Sequence, residues 1–155
     1  MNWQLKDYDA LSKDELFAIL KLRVDVFVVE QACPYPEVDD IDRAEDTQHL
    51  FLQQDTEIVA YARCYRKSDD VASIGRVIVS PKLRGKGIAH ELMTRAITCC
   101  ESKIPHQRLI ISAQCYLDKF YSSLGFIKQG EEYLEDGIPH QDMLLAKSNT
   151  TLPQI

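Results

Sequence analysis

No apolar run in this chain approaches the ~20 residues a membrane-spanning helix needs. No apolar signal region opens it either, because Met1-Asn-Trp-Gln-Leu-Lys-Asp7 is mostly polar and charged. Positive charge is scarce. The 18 Lys and Arg face 24 Asp and Glu, a net charge of -6, which argues against a nucleic-acid surface. No Cys-x-x-Cys pair and no Cys/His spacing suggests zinc, so no metal is expected. The 5 cysteines are odd in number and come after no signal region, which argues for reduced thiols. There is no repeat, no low-complexity tract and no interdomain linker. What is there is ordinary: 155 residues, 45% hydrophobic and 27% charged, enough for one domain with a real core. The expected organisation is one domain over residues 1–147 and a flexible tail over 148–155. The expected address is the cytoplasm, with neither membrane nor nucleic acid as a partner.

Along the chain, Trp3 to Tyr8 reads as a first strand. Ser12-Lys-Asp-Glu15 is a capping box that opens a helix. Leu16, Ile19, Leu20, Arg23, Val26 and Phe27 recur at helical spacing, and the helix is expected to end near Val29. Pro34 and Pro36 keep the helix from continuing past that point. Glu37 to Asp46 is densely acidic and reads as a loop or short helical turn. Strands are expected at His49–Gln54, Ile58–Arg66 and Ala72–Val79. Ile88, Leu92, Met93, Ala96, Ile97 and Cys100 form the buried stripe of a second helix. Leu109-Ile-Ile-Ser112 suits a buried strand. Tyr116 to Leu124 is a short helix, with Gly125 where a C-cap glycine belongs. Phe126–Tyr133 and Gln141–Ala146 are the last strands, split by Glu135-Asp-Gly-Ile-Pro139. The order implies an α/β (α+β mixed) sheet with one parallel crossover.

That crossover holds the richest stretch, Arg76-Val-Ile-Val-Ser-Pro-Lys-Leu-Arg-Gly-Lys-Gly-Ile-Ala89. It reads as strand, tight turn and helix start. Gly85 and Gly87 lack a Cβ, so the backbone there can turn sharply and come close to a ligand. The helix start offers unpaired N–H groups and a positive dipole end. Arg84 and Lys86 add mobile positive charge. Together these make an anion site suited to phosphate or pyrophosphate. Neither of two common phosphate loops fits. A Walker loop needs Gly-Lys-Ser/Thr, which is absent here, and a dinucleotide fingerprint needs glycine where His90 stands.

Arg84-Gly-Lys-Gly-Ile-Ala89 resembles the acyl-CoA loop of the GNAT N-acetyltransferase superfamily, Arg/Gln-x-x-Gly-x-Gly/Ala. Arg84, Gly87 and Ala89 occupy its fixed places. Gln114-Cys-Tyr-Leu-Asp-Lys-Phe-Tyr-Ser-Ser-Leu-Gly-Phe126 resembles the segment Asn-x-x-Ala-x-x-x-Tyr-x-x-x-Gly-Phe of the same superfamily. Tyr121, Gly125 and Phe126 match, while Gln114 and Leu117 replace Asn and Ala. Leu22 to Gln31, Cys33 to Asp42, His49-Leu-Phe and Asp136-Gly-Ile-Pro-His140 look like the ElaA-like subgroup. The resemblance covers nearly the whole chain. It implies a mostly antiparallel sheet with a parallel, splayed pair of strands and flanking helices. It also implies acetyl-CoA as acyl donor and a small-molecule or peptide amine as acceptor. GNAT proteins are often homodimers, but no interface is legible in the sequence.

By the resemblance, the backbone of Val77, Ile78 and Val79 pairs with the pantetheine arm. Arg84, Gly85, Lys86, Gly87, Ile88 and Ala89 take the pyrophosphate, and Gln114 stands at a cofactor-side position. Tyr121 becomes the general acid, because a phenol near sulfur can protonate the departing thiolate. The amine must first lose a proton, and Glu30, Glu37 and His140 are the candidate bases. Histidine titrates near neutrality, which suits that task. Cys33 reads as a structural thiol rather than a nucleophile. The acidic run from Glu37 to Asp46 reads as a solvated loop ahead of a lure for cationic amines. Outside catalysis, the alternatives are an acyl-CoA-binding sensor and an interaction module working through its acidic loop. A third alternative keeps the fold with a sulfonium-bearing co-substrate, as in acyl-homoserine-lactone synthases.

Overall fold

A computed structural model describes residues 1–145, so the expected tail at 148–155 lies outside the described residues. Seven strands form one sheet in the order β1-β2-β3-β4-β5-β7-β6. They are β1 (Asn2–Lys6), β2 (Gln48–Gln54), β3 (Glu57–Ser68), β4 (Val71–Val79), β5 (Arg108–Gln114), β6 (Ile127–Glu135) and β7 (Ile138–Leu145). Three α-helices flank it: α1 (Lys13–Arg23), α2 (Ile88–Lys103) and α3 (Asp118–Ser123). Only β4 and β5 run parallel, and they pair solely at Val71↔Arg108 and Ala72↔Leu109. Beyond that point they part, which opens a slot through the sheet.

Each face of the sheet has its own core. On one side Leu50, Leu52, Ala60, Ala62, Ala72 and Ile74 pack under Leu92, Met93, Ala96 and Cys100 of α2. The alanines let the helix lie close. On the other side Phe51, Ile58 and Tyr61 meet Ile19 of α1. Strand alternation sorts Leu50 and Leu52 from Phe51, and Ala60 and Ala62 from Tyr61. Fully buried leucine-sized side chains such as these each contribute about 1.5–3 kcal/mol.

The capping box forms: Glu15 N–H donates to Ser12 Oγ at 3.0 Å, and Ser12 N–H donates to Glu15 Oε1 at 2.9 Å. The helix does reach the end expected from the sequence, but it widens on the way. Val24–Glu30 is wound as a π-helix, with Gln31 N–H reaching back to the Val26 carbonyl at 2.9 Å. Four of those seven residues are valine, whose branched Cβ crowds an α turn. Val26 and Phe27 of this segment pack on Ile78.

The acidic run is only partly solvated: Asp40 and Glu45 stay exposed, but Glu37 and Asp42 are buried. Arg23 is fully buried, with Nε donating to Glu37 at 2.6 Å and Nη1 to Asp42 at 2.6 Å. Arg63 donates to Asp39 at 2.7 Å and to Asp42 at 3.1 Å. Arg76 donates to Glu37 at 3.0 Å. Three arginines from a helix and two strands thus hold three carboxylates of the run. Glu37, a candidate base from sequence, is 5% exposed and accepts from Arg23, Arg76 and Tyr35. Both its oxygens accept from these groups, two of them arginines, and it does not line the slot, which argues against a role as base.

His49 joins this network. Its Nε2 meets the Asp42 carbonyl at 2.8 Å, and its Nδ1 meets the Tyr61 hydroxyl at 2.6 Å. A carbonyl only accepts, so Nε2 carries the proton and Nδ1 accepts from Tyr61. Burial holds the His49 pKa below its usual value. Burial alone would raise the Asp42 carboxyl, but the Arg23 hydrogen bond and the charges of Arg23 and Arg63 hold it below the carboxylate range. The unfolded chain therefore binds protons that the folded chain refuses. Stability is full above the ordinary histidine value of about 6.5 and falls as pH drops below it. A second loss, from Asp42, follows below about pH 3.9. Thermal midpoints taken from pH 7 to 5 should decline in the native chain and flatten in His49→Gln. Equal slopes in the two proteins would contradict the assignment.

The last hairpin is tighter than the sequence suggests. The split expected over Glu135–Pro139 closes to two residues, Asp136 and Gly137, at φ 52 and 79. Both lie in the left-handed region, as a twisted two-residue hairpin requires. Pro139 sits in β7 paired only with β6, since the β5 ladder begins at His140↔Gln114.

Candidate active site

The slot between β4 and β5 holds ≈ 680 Å³ and cuts through the sheet. A β-bulge shapes its β4 wall. Pairing with β3 slips between Tyr61 and Arg63, so Arg76 and Val77 together stand opposite Ala62, with Arg76 at φ 52. The extra residue leaves the ladder and re-aims the strand. Ile74 and Val77 consequently both pack toward α2 despite their odd spacing. Past Ala72, the edge of β4 that faces β5 has no strand partner. Its backbone groups open into the slot, where an amide-bearing chain can pair with them.

Val77 and Val79 line the slot on the α2 side, while Ile78 is 2% exposed and packs on the π-helix. At the end of β4 the chain turns through Gly85 (φ 78) and Gly87 (φ 80) into α2. A Cβ on either glycine would meet nothing within 4 Å, so backbone angle, rather than crowding, calls for glycine there. No side chain caps α2, which leaves the N–H groups of Ile88, Ala89 and His90 open to an anion. Lys86 is exposed beside them. Arg84 is differently engaged. Its Nη1 and Nη2 donate to Glu30 at 2.8 and 3.1 Å, and its Nε donates to the Val79 carbonyl at 3.0 Å. The Arg84 hydrogen bond holds the Glu30 carboxyl below its ordinary value. A base for an ammonium needs a pKa moved the other way.

Tyr121 reaches the slot from α3 and is 6% exposed. Among the described residues its hydroxyl has no hydrogen-bond partner. Burial, then the neighbouring Tyr116, pushes its pKa up to about 12, so the phenol stays neutral. Gln114, at the end of β5, also lines the slot, and as the ladder partner of His140 it shares that residue's face of the sheet.

His140 lies toward the α1 face, 6% exposed and lining the slot. Its Nδ1 lies 2.7 Å from the Ile138 carbonyl and must donate there. The lone pair is then on Nε2, 3.8 Å from Glu135. Tyr133 stacks on the imidazole at 6.1 Å between centroids. Its hydroxyl donates to Asp142 at 2.6 Å and also contacts Ser112. Cys33 is 8% exposed, and its thiol donates to the Asp136 carbonyl at 3.2 Å.

The slot therefore gathers Val77, Ile78, Val79, Arg84, Ala89, Gln114, Tyr121, Glu30 and His140. Glu37 and most of the acidic run sit apart from it. Ser112, Tyr133, Glu135 and Arg76 also line it and were not singled out from sequence. Alternation along β5 was the available signal, since it sets Ser112 and Gln114 opposite the core residues Ile111 and Ala113.

A slot between splayed parallel strands, with a glycine turn and an uncapped helix at its open end, is the architecture of an acyl-CoA-handling enzyme. The chain belongs to the GNAT acetyltransferase domain family, whose model matches residues 11–147. It is 43% identical to protein ElaA of Escherichia coli over 145 residues, covering 92% of this chain and 95% of that one. The crystal structure of E. coli ElaA superposes with a TM-score of 0.89 at 41% identity, over 94% of this chain and 99% of that one. An acyl-CoA N-acyltransferase from Pseudomonas aeruginosa matches equally, with TM-score 0.89, 41% identity and the same coverage. The acyl-homoserine lactone synthase BjaI shares the fold alone, with TM-score 0.75 at 19% identity over 94% of this chain and 82% of that one. The protein is thus a GNAT-type acyltransferase, of a family that uses acyl-CoA donors.

Proposed function

We propose that the protein moves the acetyl group of acetyl-CoA to a primary amine by direct transfer in a ternary complex. The observation that supports this most is the meeting of two candidate proton-transfer residues along one slot. Tyr121, whose hydroxyl has no hydrogen-bond partner among the described residues, lines it from the α3 side, and His140, whose Nδ1 rather than Nε2 is bonded to a carbonyl, lines it from the other face of the sheet. In this reading the backbone of Val77, Ile78 and Val79 holds the pantetheine arm. Gly85, Lys86, Gly87, Ile88 and Ala89 hold the pyrophosphate, with Arg84 joining them, and Gln114 borders the arm.

The substrate enters as an ammonium and gives one proton to His140. Its nitrogen then bonds to the thioester carbon, and the C–S bond breaks. Tyr121 supplies a proton to the departing thiolate, and the new amide sheds the second nitrogen proton. One proton is released to solvent in net. Tyr121 regains its own from water. With no covalent enzyme intermediate, initial rates in both substrates should give intersecting lines, and acetyl-CoA alone should leave the protein mass unchanged. Parallel lines with an acetylated Cys33 would replace this route by a two-step one.

Glu30 has a separate task in this account. It occupies Arg84 while the pyrophosphate site is open, and it places a negative charge where a negative group must bind. Glu30→Gln is expected to tighten acetyl-CoA binding roughly threefold, a size suited to a half-exposed ion pair. Calorimetry measures it. A turnover loss on the order of a hundredfold, without tighter binding, would instead make Glu30 the base. We also assign the protein to the cytoplasm, a setting that suits its five unpaired cysteines.

A further inference from the structure

The charges lining the slot are unevenly matched. Arg63 is paired with Asp39 at 2.7 Å, Arg76 with Glu37 at 3.0 Å, and Arg84 with Glu30 at 2.8 Å. Lys67 stands at the closed end, beside the Val71–Ala72 pairing. At the open end, on the β6–β7 wall, Glu135 and Asp136 have no lysine or arginine partner among the described residues. Among the described residues the one basic group within 4 Å of Glu135 is His140, with Nε2 at 3.8 Å. That imidazole is more than nine-tenths buried, its Nδ1 proton is committed to the Ile138 carbonyl, and its Nε2 lone pair has no donor. Tyr133, fixed by Asp142 and Ser112, holds the ring plane by stacking on it. An unpartnered acceptor nitrogen on a mostly buried ring, beside two unmatched carboxylates, calls for a ligand that is all donor and positively charged. A primary ammonium is such a ligand, with one N–H for Nε2 and another for Glu135.

Resting on the acyl-transfer reading above, we propose that the acceptor is a cationic alkylamine, such as a diamine or polyamine, whose leading ammonium is taken between Glu135 and His140. Asp136, at the hairpin tip, faces the remaining positive charge. An acceptor bearing a carboxylate next to its amine would bring like charge against Glu135 and Asp136, and is disfavoured. The role that the sequence offered to the acidic run thus falls to the β6–β7 hairpin, because Glu37, Asp39 and Asp42 of the run are taken by arginines.

The test is initial rates with acetyl-CoA on the native chain and on Glu135→Gln, using cadaverine, spermidine and glycine as acceptors. Acetyl-CoA binding is measured by calorimetry on both proteins. The expected native result is a kcat/KM for the diamine and polyamine at least ~10-fold above that for glycine, the size of one charge-assisted hydrogen bond. Glu135→Gln should raise KM for the cationic amines roughly tenfold, weaken the salt dependence of that KM, and leave acetyl-CoA affinity unchanged. Preference for glycine, or a KM that Glu135→Gln does not move, overturns the proposal while acyl transfer stands. Failure of the native chain to bind acetyl-CoA overturns the acyl-transfer reading and this proposal with it.

Discussion

Tyr121→Phe is expected to slow turnover at saturating substrates by roughly 10²- to 10³-fold, the range for a lost general acid. The fold should survive the change. The Tyr121 ring meets Phe120 edge-on at 5.1 Å and Phe126 at 6.0 Å, and phenylalanine keeps both contacts. The hydroxyl has no protein partner, so its removal leaves no orphaned buried group and should cost less than about 1 kcal/mol. Acetyl-CoA affinity should stay within about twofold for the same reason. The pH profile adds an independent sign. A phenol donates only while protonated, and burial pushes this one up to about 12. The native enzyme should therefore show no alkaline loss from Tyr121 up to about pH 10, where an ordinary tyrosine would be half ionised. Full turnover in Tyr121→Phe would remove the residue from the mechanism.

Arg23→Met is expected to lower unfolding free energy by roughly 3–5 kcal/mol, the range for breaking a buried ion pair from one side. For a chain of this size that lowers the thermal midpoint by on the order of 10 °C. The cause is the pair of carboxylates left behind. Glu37 and Asp42 are 5% and 4% exposed, and each would lose a 2.6 Å charge-assisted hydrogen bond. Arg63 and Arg76 would share the load without reaching Arg23's donor positions. An exposed pair gives the contrast. Lys21 and Asp25 are 2.8 Å apart but more than half exposed, so Lys21→Ala should leave the denaturant midpoint essentially unmoved. Denaturant unfolding of the two variants checks both. A loss below about 1 kcal/mol in Arg23→Met would mean the network does not hold the acidic run.

That network also shows where sequence reasoning stops. Local signals were legible because their cause is local. Ser12 and Glu15 form a capping box three residues apart, and Gly85 and Gly87 take the positive φ that their turn needs. The order of strands and helices came from alternation and helical spacing, and the splayed parallel pair from the family resemblance. The acidic run misled because its partners are distant. Arg23 lies 14 and 19 residues from Glu37 and Asp42, and Arg76 lies 39 from Glu37. A run of carboxylates looks solvated until folding brings the cations. The π-widening at Val24–Glu30 kept the helical pattern and changed only its pitch. Pro139 falls in the split expected between the last strands, yet it lies inside β7 at a position where the β5 ladder does not require its N–H. Tyr121 and His140 stood out as residue types, but their meeting along one slot became visible only in three dimensions.

The most direct test of the central claim is release of free CoA thiol from acetyl-CoA, with and without added amine, on the purified chain. The account predicts release that depends on amine, saturates in both substrates and falls in Tyr121→Phe. No release with any amine, together with no calorimetric binding of acetyl-CoA, would contradict it.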